Sequence, residues 1–145
     1  MTRLLRLSAW LVLPLALLLF AQWPLRDLVQ AGSRQANDAA QVLFALQMAL
    51  AVSAATRAGV HLSAAHHATP HGGWRRWVVF ACVAPWAVFL LWTSAPAVAE
   101  SLRTLERFPE TSNPGFFLIK LALWLLAALA LADALRGLLA RAPEA

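Results

Sequence analysis

Four long stretches with almost no charge decide what this chain can fold into. Leu7–Leu25 runs for 19 residues, Ala39–Thr56 for 18 and Trp77–Ala99 for 23 without a charged side chain. Phe116–Leu135 runs for 20 with only Lys120 and Asp133, near its two ends. An α-helix rising about 1.5 Å per residue needs about 20 apolar residues to cross roughly 30 Å of hydrocarbon. All four stretches meet that length, the second by borrowing from its flank. In lipid every backbone N–H and C=O must be satisfied within the element, so the stretches are expected to be helices. Barrel strands would read as alternating segments of about ten residues, and none is present. The expected fold is all-α: an integral membrane protein, one four-helix domain over 1–145, with spans at about 7–25, 37–56, 77–99 and 116–135.

Composition agrees with this reading. The chain is 61% hydrophobic and 13% charged, with a mean hydropathy of +0.63. A soluble domain of this size buries only about 70% of its surface and cannot hide so much Leu, Ala, Val, Phe and Trp. A disordered tail or a disulfide scaffold is excluded as well. The net charge of +5 does not point to nucleic acid, because the Arg residues stand singly or in pairs between apolar runs rather than on a basic polar face. The single cysteine, Cys82, lies inside an apolar run and reads as a small packing residue.

The basic residues also orient the chain. Arg3, Arg6, Arg57, Arg75, Arg76, Arg136 and Arg141 fall on one side. Arg26, Arg34, Arg103 and Arg107 fall on the other, beside Asp27, Asp38, Glu100, Glu106 and Glu110. Lys/Arg excess marks the cytoplasmic side, so both termini are expected in the cytoplasm. Trp10, Trp23, Trp74, Trp77 and Trp92 lie near span ends, where indole rings prefer the interface. The first stretch follows Arg3 and Arg6 in the manner of a signal peptide. It is long, however, and no small-residue cleavage site follows, so it is expected to stay as a span kinked at Pro14 and ended by Pro24.

Candidate chemistry is sparse. His61, His66, His67 and His71 form the only imidazole cluster and are the one weak metal candidate. They share a loop rather than facing spans and lack a Cys or carboxylate frame. The plainer reading is a polar loop at headgroup level that contacts membrane lipid. Glu100, Arg103, Glu106, Arg107 and Glu110 follow the third span, and on a continuing helix Arg103 and Glu106 would share a face and pair. Lys120 lies about one turn inside the last span, close enough to snorkel outward. No nucleophile accompanies these acids, so they read as a docking surface and the chain as a non-enzyme with no cofactor of its own. Gln41, Gln47 and Ser53 are the polar groups of the second span, and no ionisable residue stands near any span midpoint. Ion and substrate paths need such residues, so the chain is not expected to be a complete transporter. Ala45 with Ala49, Ala51 with Ala55, and Ala128 with Ala132 repeat at the four-residue spacing that lets helices approach closely.

The stretch Ala99–Leu135, A-E-S-L-R-T-L-E-R-F-P-E-T-S-N-P-G-F-F-L-I-K-L-A-L-W-L-L-A-A-L-A-L-A-D-A-L, resembles the end of the small membrane subunit (DctQ-type, or Q subunit) of tripartite ATP-independent periplasmic (TRAP) transporters. Glu100, Ser101, Glu106, Pro109, Pro114 and Lys120 carry the likeness. Ala55–Leu62, A-T-R-A-G-V-H-L, is similar to that family's exit from its second span. The chain departs from the family at Asn37, Asp38 and Gln41, where many relatives are more acidic. The resemblance implies a scaffold subunit in the bacterial inner membrane. Its partners would be a large membrane subunit holding the sodium and substrate sites, and a periplasmic substrate-binding protein delivering an organic acid. Glu100, Arg103, Glu106, Arg107, Glu110 and Lys120 would serve docking. The alternatives are a metal- or haem-binding membrane redox subunit, resting on the four His residues, and an unrelated membrane assembly factor.

Overall fold

The computed structural model describes residues 3–29, 34–58 and 73–139. They form four helices: α1 (Arg3–Val29), α2 (Arg34–Ala58), α3 (Gly73–Thr104) and α4 (Phe116–Leu139). All four are long and apolar enough to cross a membrane. At 24 to 32 residues they reach about 36–48 Å, so each overruns its charge-free core into its charged flanks. Hydrocarbon thickness limits the apolar stretch, not the hydrogen-bonded helix around it. For the same reason Pro24 does not end α1. The apolar stretch stops there, but the helix continues to Val29, and Pro14 is also accommodated within it. A helix interior tolerates Pro at the loss of one ladder hydrogen bond.

The helices are arranged as a row. Among the described residues α1 packs on α2, α2 on α4, and α4 on α3. The central pair, α2 and α4, is parallel: Asp38 near the start of α2 meets Thr111 and Asn113 just before α4, while Ser53 and Arg57 near its end meet Asp133.

Small residues close the interfaces. Ala49, Ala54, Ala87, Ala122 and Ala127 are each at most 1% exposed. No hydrophobic drive brings helices together in lipid, and Ala lets two backbones approach until van der Waals packing does so. Of the Ala pairs at four-residue spacing, Ala49 is fully buried within the chain and its companions are half-buried. Large side chains point away instead: Trp10, Phe20 and Trp23 on α1, and Trp74, Trp77, Phe89 and Trp92 on α3, are exposed, Trp92 to 83%. The apolar exterior and small-residue interior invert the size pattern of a soluble core.

The link between α3 and α4 is short and closed on itself. Leu105 ends α3 in the left-handed region at φ 48°, and the Glu106 N–H returns to the Ser101 carbonyl at 3.0 Å, a Schellman-type cap. The Phe108 N–H reaches Asn113 O at 2.9 Å, the Ser112 N–H reaches Phe108 O at 2.9 Å, and Arg107 bridges Pro114. Phe108 is buried and meets Phe116 edge-on at 5.6 Å. Gly115 sits at φ 146°, where a Cβ would stand 3.2 Å from the Phe108 ring. Only glycine fits that backbone against that ring. Leu105, by contrast, is 57% exposed and bears the left-handed strain of a Cβ. Leu105→Gly is therefore expected to stabilise the chain by about 0.5–1 kcal/mol, the relief of strain less the entropy of a more flexible unfolded chain. Thermal unfolding in detergent micelles would check this, and a lowered Tm would contradict it.

Candidate functional site

Polar side chains gather in three clusters at the two ends of the α2–α4 pair. Two cap the end that carries the α3–α4 link. In the first, the buried Asp38 carboxylate accepts hydrogen bonds from Thr111 Oγ1 and from Asn113 Nδ2, the latter at 3.3 Å. The Thr111 hydroxyl also lies 3.4 Å from the Asn113 backbone N–H, which donates to it. This ties the link to the second turn of α2.

In the second cluster, Glu106 Oε2 accepts from Ser101 Oγ and from Lys120 Nζ, each at 2.5 Å. Lys120 also lies 5.4 Å from the centre of the Phe116 ring, within cation–π range. The Lys120 ammonium and the Ser101 hydroxyl hold the Glu106 carboxyl below its ordinary value, with partial desolvation opposing them. A depressed acid adds stability that is present above its unfolded pKa and lost as pH falls through its folded one. The stability gap between wild type and Glu106→Gln should therefore be open at neutral pH and close on acidification below the usual glutamate range. Unfolding midpoints of the two proteins across pH would show it, and a gap independent of pH would refute it.

The third cluster lies at the far end. Asp133, in the most apolar helix, is buried. Its Oδ2 accepts from the buried Ser53 hydroxyl at 2.5 Å, and its Oδ1 from Arg57 Nε at 2.9 Å. Arg136 Nη1 stands 3.8 Å from the same Oδ1. Ser53 and Arg57 are four residues apart, so one face of α2 presents both to α4.

Of the expected docking residues, the structure brings together only Glu106 and Lys120. Lys120 reaches back toward the link, as snorkelling requires, but ends on Glu106. The helical pairing of Arg103 with Glu106 does not occur, because α3 stops at Thr104 and the reversal at Leu105 turns Glu106 toward α4. Glu100, Arg103, Arg107 and Glu110 are exposed and make no ion pair among the described residues. His61, His66, His67 and His71 lie outside the described residues, and among the described residues no group of three or more His, Cys, Asp or Glu gathers as a metal site.

Sequence reasoning missed the clusters around Asp38 and Asp133. The signal for the second was present: a lone acid within an apolar helix demands a donor on a neighbouring helix. Two buried amide atoms, Gln22 Nε2 and Gln47 Oε1, have no partner among the described residues, and nothing in the structure explains them.

The described residues thus form a row of four apolar helices whose Asp, Glu, Lys and Arg side chains stand at the helix ends and in the α3–α4 link. Comparison with models of protein families, with curated proteins and with solved structures finds no match to this chain.

Proposed function

We propose that this chain is the small, non-enzymatic scaffold subunit of a TRAP-type secondary transporter. In this reading it is a multi-pass protein of the bacterial inner membrane with both termini in the cytoplasm. It enlarges the static part of an organic-acid importer. A large membrane subunit carries the sodium and substrate sites, and a periplasmic binding protein delivers the substrate.

The observation that carries the reading is the absence of charge between the end clusters. No Asp, Glu, Lys or Arg stands between Asp38 and Arg57 on α2, or between Lys120 and Asp133 on α4. A carrier needs polar groups, and commonly broken helices, at mid-membrane. Buried alanines occupy that level instead, and α2 and α4 run unbroken. Clamped ends and a small-residue waist suit a part that stays still while another moves. The likeness of Glu100–Lys120 to the TRAP small subunit names the partner. The exposed Glu100, Arg103, Arg107 and Glu110 supply a charged docking rim around the Glu106–Lys120 pair.

The test is reconstitution of the cognate large subunit with and without this chain. Loss of uptake, or of large-subunit stability, on omission is expected; unchanged uptake and stability would end the proposal. Arg103→Ala should lower transport a few-fold by weakening docking, because an exposed rim charge is worth at most about 1 kcal/mol. Uptake assays with assembly checked by co-purification would show it, and complete loss of transport in an intact complex would contradict a docking role.

A further inference from the structure

The geometry points to a binding site for the phosphate of an anionic phospholipid between Arg57 and Arg136, held open by Asp133. Both guanidiniums converge on one carboxylate oxygen, at 2.9 Å for Arg57 Nε and 3.8 Å for Arg136 Nη1. Two cations against one anion leave a net charge of +1. The Asp133 side chain is only 4% exposed and its two oxygens are taken up by Ser53 and Arg57. It therefore acts on the guanidiniums and offers little of its own surface to an incoming anion.

Arg57 is bound through Nε alone. Among the described residues its two Nη groups make no hydrogen bond, and neither does Arg136. The Arg57 side chain is 25% exposed and that of Arg136 65%, so both reach the surface. A guanidinium fixed at Nε presents its Nη edge as a planar fork, the geometry that pairs with two phosphate oxygens. Depth selects the source of the phosphate. Arg57 is one residue from the end of α2, and Arg136 lies in the last turn of α4. A span that places the apolar helices in hydrocarbon places these forks at headgroup level. The carboxylate thus does two jobs: it joins α2 to α4, and it fixes the fork of Arg57 beside Arg136. This inference requires the helices to be in a membrane but does not require a TRAP partner, so the two fail separately.

The experiment uses the full chain purified in mild detergent, with retained and added lipid read by native mass spectrometry. Phosphatidylglycerol is titrated against phosphatidylcholine, and inorganic phosphate is added as competitor. Wild type should prefer phosphatidylglycerol. Arg136→Gln, at an exposed position that carries no close bond, should weaken that preference about fivefold, the effect of one basic residue at an anionic surface. Arg57→Gln with Arg136→Gln should abolish it, and Arg103→Gln, outside this cluster, should leave it unchanged. Competition by millimolar inorganic phosphate, dependent on the same two residues, would keep the site and assign it to soluble phosphate. No competition would assign it to lipid. Equal binding of the two lipids by wild type, or a preference that survives Arg136→Gln, would overturn the inference.

Discussion

Asp133→Ala lowers the stability of the folded chain by about 2–3 kcal/mol. The substitution removes two hydrogen bonds to a charged acceptor, each worth about 1.5–3 kcal/mol in water-referenced proteins. Hydrogen bonds between membrane helices average nearer 0.6 kcal/mol, because the separated helices find other partners. Two features place this case toward the upper end. Ser53 is 2% exposed, and its hydroxyl would be left without this acceptor. Arg57 would lose the anion that offsets its partial burial. The Arg57 side chain retains some exposure, at 25%, which keeps the loss below that of a fully buried pair. Asp133→Asn retains an acceptor but not the charge and should fall about midway. Reversible unfolding in mixed micelles measures both. An alanine variant within about 0.5 kcal/mol of wild type would show that α2 and α4 are joined by packing alone.

The second large effect is expected at Ala87. This residue is 0% exposed and lies on α3, whose one helical neighbour among the described residues is α4. Leucine there adds three carbons at a fully enclosed position. Overpacking a tight interior costs about 1–3 kcal/mol and occasionally more, and α3 has no second helical neighbour against which to recover packing. Ala87→Leu should therefore separate α3 from α4, by about 3 kcal/mol or more in stability. It should also weaken the bond from Trp124 Nε1 to the Leu91 carbonyl, at 3.4 Å one turn away. Ala→Leu at the exposed Ala81 is the control and should be near neutral. Unfolding midpoints and tryptophan fluorescence would report both changes. Equal behaviour of the two variants would mean that the α3–α4 interface tolerates bulk.

The helices were legible because a membrane leaves a chain few choices. Runs of 18 to 23 residues with almost no charge admit one element type, and each run became one helix. The link between α3 and α4 falls at Pro109, Asn113, Pro114 and Gly115, residue types that set backbone geometry locally. Helix ends were less legible. Pro24 ended the apolar span as expected, but the helix ran on to Val29, because an apolar boundary is not a hydrogen-bonding boundary. The Arg103–Glu106 pairing failed because it assumed a helix through Leu105, and no local signal marks a leucine for the left-handed region.

The sequence by itself determined the number of helices, the length of their apolar cores and the placement of charge at their ends, because hydrophobic length and backbone satisfaction act along the chain. Only the tertiary structure decided which helices touch, and hence what the acids do. Asp38 finds Thr111 and Asn113 across 73 and 75 residues, and Asp133 finds Ser53 and Arg57 across 80 and 76. Such pairings leave no periodic trace, since each needs one donor on another helix at the right height. The order α1–α2–α4–α3 sets those heights, and small-residue packing between helices, a property of facing surfaces rather than of any one segment, sets that order.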